Sequence, residues 1–311
     1  MLSTFCTVTD CELRSRRIAP LALWSSVRSH DLVFGWFASW HTFLPLLFAR
    51  LLGKPSILVI GGYDLANLPA IGYGHQRGGL AKWLSRATMG LATRLITNSR
   101  YSQQEARINA GIPPDRVTVL YHGIPDPFSG LTALPREPLV LTVGNVSRAN
   151  LQRKGLEAFV RAAALLPEIA FVVAGRRADD AFEYLKSIAT ANVTITGLIS
   201  EAELIRCYQR ASVYVQVSQH EGFGMSLAEA MLAGCIPVVT GEGAIPEVAG
   251  ENAIFAASQD PATVAAAIRQ ALAAPEKDRA EARDRIALHF TLDQRRDGLE
   301  SIVHSTLAGA Q

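Results

Sequence analysis

The chain has 311 residues, 49% apolar and 19% charged, with a formal net charge of +2. That composition excludes a disordered chain, gives no reason to expect a nucleic-acid partner, and fits about two packed domains. The charge is uneven: residues 1–133 carry 13 Lys+Arg and 7 Asp+Glu, a balance of +6, and the remainder 17 and 21, a balance of −4. A basic first half can dock on anionic lipid or bind acidic substrates, although compositional scatter gives the same pattern. Cys6, Cys11, Cys207 and Cys235 follow no metal-ligand spacing and read as reduced, mostly buried thiols. No signal-peptide pattern opens the chain, so a cytoplasmic location is expected, with contact at the inner membrane face as an addition. Asn145-Val-Ser147 and Asn192-Val-Thr194 match a glycosylation pattern that a cytosolic chain does not use.

The first half reads as strand, helix, strand. Asp31–Phe37 is a strand, Trp40–Leu52 a helix and Ser56–Ile60 the next strand, ending at Gly61-Gly62-Tyr63-Asp64. Leu32–Ala49 holds no charged residue, which raises a membrane span, but Gly35, His41 and Pro45 interrupt it and its halves differ in character. A buried strand and helix is the preferred reading; alternatively Trp36, Phe37, Trp40 and Phe43 line a membrane-facing edge. Leu80–Thr93 reads as a helix, Leu95–Thr97 as a strand, Ser102–Ala110 as a helix and Val117–Leu120 as a strand. Pro127–Pro138, rich in proline, glycine and threonine, reads as a linker. Strands follow at Leu139–Val143, Phe171–Ala174, Val193–Thr196, Val213–Val217 and Ile236–Val239, with helices between them such as Leu156–Leu166 and Glu201–Arg210. This alternation predicts parallel sheets with right-handed crossovers, and Phe290–Leu307 is a final helix.

Two loops carry the chemistry. Ser218-Gln-His-Glu221-Gly222-Phe223-Gly224-Met225-Ser226-Leu-Ala-Glu229 follows the strand ending at Val217 and opens into a helix. Unpaired N–H groups at such a start attract phosphate, and carboxylates beside it suit hydroxyls, so a sugar nucleotide fits. The competing reading is a capping box in which Ser226 and Glu229 satisfy each other's backbone. The second loop, Gly144 to Gly155, places Arg148 and Lys154 six positions apart, able to converge on one anion; a solvated basic loop is the alternative. Arg153 is left open between a part in that site and simply facing water.

At these residues the chain resembles the retaining family-4 glycosyltransferases of GT-B architecture. Their Glu-Gly-Phe-Gly-x4-Glu signature is complete from Glu221 to Glu229, and their Gly-Gly-x-Pro-Glu loop stands as Gly243-Ala-Ile-Pro-Glu247. The resemblance covers most of residues 90–305 and implies two Rossmann-like α/β domains. Expected are an acceptor domain over 1–130, a nucleotide-sugar domain over 131–290, and a C-terminal helix over 291–311 crossing back to the first. It implies that Glu221 binds the donor sugar, Glu229 the ribose, and Arg148 and Lys154 the diphosphate. Gly222, Phe223, Gly224, Met225 and Ser226 would line the donor site, and Gly197 would approach the base, a plain turn being the alternative for Gly197. Gly62, Tyr63 and Asp64 would lie on the acceptor side. No Asp-x-Asp motif is present, and Asp179-Asp180 follows another pattern, so no metal or other cofactor is expected.

Two places depart from the family pattern. Gly61 stands where many members carry histidine, with His75 read as a surface loop residue. Met1–Pro20 offers no counterpart of the usual first strand and glycine-rich loop, so the N-terminal domain is expected to be shortened. The implied activity is retaining hexosyl transfer from a nucleotide diphosphate sugar to a glycan or lipid-linked acceptor, in cell-surface polysaccharide or glycolipid synthesis. The alternative is a nucleotide-sugar-binding remnant with an incomplete acceptor domain. A nicotinamide-dependent oxidoreductase is excluded, because neither Gly222-Phe-Gly224 nor Gly241-Glu-Gly243 completes Gly-x-Gly-x-x-Gly.

Overall fold

The computed structural model describes residues 1–10 and 19–309, so Cys11 and part of Met1–Pro20 lie outside the described residues. The chain divides into two compact units, Met1–Gly123 with Leu292–Gln311, and Ile124–Thr291.

In the first unit β1 (Val33–Trp36), β2 (Ser56–Ile60), β3 (Arg94–Thr97) and β4 (Val117–Val119) form a parallel sheet in the order β1-β2-β3-β4. Helices α1 (Pro20–Ser29), α2 (Trp40–Leu51), α3 (Gly79–Leu91) and α4 (Arg100–Glu105) connect it, and α4 runs on through a π-helical turn at Ala106–Ala110. The period-2 alternation of β2 supplies two cores. Leu58 and Ile60 join Leu46 and Met89 on one face, while Ile57 and Val59 join Ile96 on the other. The uncharged stretch Leu32–Ala49 becomes β1 and most of α2, and no described helix is long and apolar enough to cross a membrane. Helix α2 starts at Ser39, whose N–H donates to Thr42 Oγ1 at 3.2 Å, and it continues through Pro45. Proline there removes the bond that the His41 carbonyl would accept.

The second unit holds β5 (Glu137–Val143), β6 (Ala170–Ala174), β7 (Val193–Gly197), β8 (Ala211–Gln216), β9 (Ile236–Val239) and β10 (Ile254–Phe255), all parallel. Their order is β10-β9-β8-β5-β6-β7, so the chain direction across the sheet reverses between β5 and β8. Ligands of open α/β sheets bind outside the carboxyl ends of the strands at such a reversal. The sheet of the first unit, in simple chain order, has none among the described residues. Helices α5 (Arg148–Arg153), α6 (Leu156–Ala163), α7 (Ala181–Ile188), α8 (Glu201–Arg210), α9 (Met225–Leu232), α10 (Ile245–Ala249), α11 (Pro261–Leu272) and α12 (Glu276–His289) complete the unit. Its core includes Phe159 and Phe171, whose rings meet edge to face at 5.1 Å.

The expected linker is part of this unit. Phe128 is buried with its ring 6.2 Å from that of Tyr208, and the Ile124 N–H donates to the Phe290 carbonyl at 2.8 Å. Strand β5 also starts two residues before its expected position, and its pairing with β8 shifts between Glu137 and Val140, where Pro138 has no N–H to give. The last helix, α13 (Leu292–Ala308), returns to the first unit, where Leu299 and Val303 pack on Ile57, Val59 and Ile96.

Candidate active site

Both predicted loops leave the carboxyl ends of the two strands at the reversal. Strand β8 is buried throughout and β5 over most of its length, which leaves Gly144–Gly155 and Val217–Gly224 at the sheet edge. Gly155 lets them approach each other, since a Cβ there would lie 2.5 Å from the Val217 carbonyl oxygen, and within the first loop a Cβ on Gly144 would lie 3.0 Å from Lys154 Cδ. The Gln219 N–H donates to the Arg153 carbonyl at 2.8 Å, and Gln259 Nε2 donates to the carbonyls of Gln152 at 2.8 Å and Val217 at 2.5 Å.

Glu221 is the centre of this arrangement. Its Oε2 lies 3.4 Å from Lys154 Nζ and 3.6 Å from Arg153 Nη1, and accepts from Gln216 Nε2 at 3.4 Å. Gln216 in turn accepts from Tyr214 OH at 3.2 Å and Ser226 Oγ at 3.4 Å, which fixes its amide. The backbone of Glu221 is held from the other side. Its carbonyl accepts the Ala244 N–H at 2.9 Å, and Gly243, at φ +66°, comes so close that a Cβ would lie 2.7 Å from Glu221 N and O. The Gly241–Glu247 loop therefore acts as a clamp on Glu221.

Arg153 belongs to the cluster and does not face water. It is 8% exposed, its Nη1 donates to the His220 carbonyl at 3.2 Å, and Nε and Nη2 donate to Asn150 Oδ1 at 3.1 and 2.8 Å. Only the fold, which carries the His220 carbonyl to its guanidinium, distinguishes it from a solvated neighbour of Lys154. Arg148 is placed differently from the expectation of convergence with Lys154. Its side chain is 59% exposed and bidentate on Asp180, with Nε–Oδ1 at 2.9 Å and Nη2–Oδ2 at 2.6 Å. That pairing holds the Asp180 carboxyl below its ordinary range. Asp179 meanwhile accepts the N–H groups of Arg148 and Ala181.

The helix start resolves the two readings of Ser226 and Glu229. The N-cap is Gly224, at φ +101°, and no side chain caps it, so the capping box does not form. Glu229 instead accepts the hydroxyl of buried Tyr208 at 2.9 Å, and burial pushes its carboxyl above the ordinary value. Gly222, Phe223 and Gly224 are buried, while Met225 is exposed. The Phe223 ring packs on Phe290 at 5.5 Å, so its side chain anchors the turn. Gly197 closes β7 at φ +74°, two strands from β5 along the sheet. Sequence reasoning did not find Gln216 or Tyr208; a glutamine inside an apolar strand was the available signal for Gln216.

In the first unit Tyr63 is exposed, and its ring meets Tyr73 at 4.9 Å and His75 at 4.7 Å. Gly62, at φ +65°, is half-buried beside it. Asp64 is a buried brace. Its two oxygens accept the N–H groups of Ala38 and Gly61, each at 2.9 Å, tying the ends of β1 and β2 together. Burial drives its carboxyl up to about 7 against those two bonds, which favour the charged form.

The second unit thus offers Lys154, Arg153 and a helix N-terminus at a sheet reversal, with a clamped carboxylate between them. Fixed positive charge and aligned backbone donors stabilise a departing phosphate, and a carboxylate selects hydroxyl groups.

The sequence profile described as Glycosyl transferases group 1 matches residues 137–274, and that described as Glycosyltransferase Family 4 matches residues 6–126. Alpha-D-kanosaminyltransferase of Streptomyces kanamyceticus is 26% identical over 211 residues, 61% of this chain and 53% of that protein. GDP-mannose:cellobiosyl-diphosphopolyprenol alpha-mannosyltransferase of Xanthomonas campestris is 29% identical over 135 residues, 42% of this chain and 36% of that protein. The chain spans about half the length, or less, of the curated relatives it matches. The crystal structure of a glycosyltransferase from Rickettsia africae ESF-5 superposes with a TM-score of 0.75 at 15% identity, covering 96% of this chain and 84% of that one. This likeness concerns the fold.

Proposed function

The chain belongs to the group 1 glycosyltransferases, and we propose that it moves a hexose from a nucleotide diphosphate sugar to a glycan or lipid-linked acceptor, retaining configuration and needing no metal. The observation that carries this reading is the Glu221 cluster at the β5/β8 reversal, where Lys154 and Arg153 lie within 3.4 and 3.6 Å of one carboxylate oxygen. A diphosphate bound there meets two cations and the first turn of α9, and Glu221 turns to sugar hydroxyls. Arg148 joins the diphosphate on release from Asp180. Gly197 approaches the base and Glu229 the ribose. Charge supplied by arginine and lysine takes the role a divalent ion plays elsewhere. The Xanthomonas relative's name gives GDP-mannose as donor and a cellobiosyl-diphosphopolyprenol as acceptor, which supports a nucleotide diphosphate sugar donor and a lipid-linked acceptor in glycan or glycolipid synthesis as the reading. The test is release of nucleotide diphosphate from a panel of donors in the presence of mixed lipid and glycan acceptors.

Peripheral contact with an anionic membrane is supported by the first unit. Leu80 is 76% and Trp83 60% exposed on α3, and the Trp83 ring meets Phe43 of α2 at 6.4 Å, with exposed Trp40 one turn before Phe43. Lys82 precedes Trp83 in the chain, and residues 1–133 carry the +6 balance. Apolar side chains flanked by positive charge suit an acidic lipid surface. Co-sedimentation with vesicles containing phosphatidylglycerol should exceed that with neutral vesicles, and the double variant Leu80→Ser, Trp83→Ala should lose the difference. Equal sedimentation of variant and wild type would refute the contact.

A further inference from the structure

Strand β8 is buried at every position, and its alternation gives it two unlike faces. Val213, Val215 and, just past the strand, Val217 join the main apolar core of the second unit. Tyr214 and Gln216 lie on the other face, 0% and 2% exposed. A buried amide is costly unless its polar atoms are partnered, and an apolar side chain would complete the strand without that cost. Folding alone therefore gives no reason for a glutamine at 216.

Its three partners supply one. An ionised carboxylate only accepts, so the amide must turn its NH2 group to Glu221, and it does so at 3.4 Å from Oε2. The amide oxygen then takes the hydroxyls of Tyr214 at 3.2 Å and Ser226 at 3.4 Å. Gln216 is thus the third donor on one oxygen, beside Lys154 at 3.4 Å and Arg153 at 3.6 Å. Oε1 of Glu221 has no partner among the described residues, and the side chain keeps 18% of its surface exposed. The carboxylate therefore gives one oxygen to the protein and leaves the other for a ligand. Of the three donors, the two cations are the groups that a diphosphate engages. Gln216 carries no charge and is tied to a strand and a helix start, so it stays with Glu221 when they turn to phosphate.

We infer that Gln216 is a positioning residue for sugar transfer: it holds Oε2 of Glu221 while a diphosphate occupies Lys154 and Arg153, so that Oε1 meets a hydroxyl of the donor sugar. This rests on reading the Glu221 cluster as the donor site. The test compares wild type, Gln216→Leu and Gln216→Glu in the full chain. Gln216→Leu removes the amide, and with it the oxygen to which Tyr214 and Ser226 donate. Gln216→Glu keeps the size and that oxygen, but sets an acid where the NH2 group faced Glu221. Two carboxyls so close share one proton. With the proton, the new acid donates to Glu221 as the amide does; without it, the two repel. The other titratable groups around the pair are Lys154 and Arg153 of the first loop, His220 beside Glu221, Tyr214 of β8 and Glu229 of α9. They are common to all three proteins, so wild type is the reference at each pH. Transfer kcat and KM are measured from pH 5.5 to 8.5 with a donor that wild type uses, and UDP and GDP affinity and melting temperature on the same samples. Gln216→Glu should transfer within about threefold of wild type at pH 5.5 and fall about tenfold or more below it at pH 8.5. Gln216→Leu should lose about tenfold or more in kcat at every pH, with UDP and GDP affinity within about twofold, because the nucleotide alone brings no sugar hydroxyl. A merely structural role would give no trend with pH relative to wild type. If Gln216→Leu does not fold, Gln216→Glu decides alone. The inference is overturned if Gln216→Leu transfers as wild type does, or if the Gln216→Glu profile runs parallel to that of wild type; either result, with wild type active, keeps the donor reading. Absence of transfer by wild type from every donor would overturn both.

Discussion

Replacing Gly243 by alanine should dislodge Glu221 without touching any charged group. The residue sits at φ +66°, where a side chain costs roughly 1–2 kcal/mol. The new Cβ would also stand 2.7 Å from both N and O of Glu221, a distance that forces the clamp to move, at about 1–3 kcal/mol for overpacking. Together the loss of stability should be about 2–5 kcal/mol. Gly130, at φ +76° with no atom within 4 Å of a built Cβ, separates the two contributions: Gly130→Ala carries the backbone strain alone, about 1–2 kcal/mol. Urea unfolding of both variants gives the difference. Displacement of Glu221 by about 1 Å should cut sugar transfer on the order of a hundredfold, while Gly130→Ala should transfer as wild type does. Equal destabilisation of the two variants, with activity intact in Gly243→Ala, would refute the clamp.

Other consequences can be checked in the same way. Tyr208→Phe removes the hydroxyl that Glu229 accepts, a bond worth about 1.5–3 kcal/mol to a charged group. Because that bond favours the ionised carboxyl, its contribution is present at high pH and lost as Glu229 protonates, so urea unfolding should show a larger loss at pH 8 than at pH 4. Asp64 and His122 should oppose each other in acid. Asp64 keeps its proton up to about 7 when folded, so its effect is to lower stability as pH rises from its ordinary 3.8. His122, held down to about 4 by burial and by Arg295, raises stability as pH climbs from 4 to 6.5. Each slope approaches about 1.4 kcal/mol per pH unit, so wild type should be nearly flat between pH 4.5 and 6.5. His122→Phe should lose stability with rising pH across that window, and an unchanged profile would contradict the assignment. Asp180→Asn should free Arg148, tightening nucleotide diphosphate binding severalfold in calorimetry with no change in melting temperature; weaker binding would place Arg148 outside the site.

Much of the fold was legible because apolar runs bounded by glycine and proline mark buried parallel strands. Ser56–Ile60 and Ile236–Val239 coincide with β2 and β9 residue for residue. Helix α1 was not, since Pro20–Ser29 buries only Leu23 and Val27 and shows little helical period. Two-residue β10 is too short for any pattern. The Glu221 loop announced itself through its glycines and carboxylates, and the clamp loop through Gly243 and Pro246. The partners did not. Asn150 and the His220 carbonyl bury Arg153, Asp180 holds Arg148, and Tyr208 holds Glu229 from 21 positions upstream. Such pairings depend on which strands become neighbours, and the reversal between β5 and β8 is not visible in local sequence.

In the proposed function the Glu221 cluster binds a nucleotide diphosphate sugar and drives its transfer. Wild type, Glu221→Ala and Lys154→Ala should be incubated with UDP-, GDP- and ADP-sugars and a mixed lipid and glycan acceptor extract, with nucleotide binding measured on the same samples. Wild type should release nucleotide diphosphate from at least one donor in an acceptor-dependent way, with a loss of a hundredfold or more in each variant. Nucleotide binding with no release from any donor, or release that survives both substitutions, would contradict it.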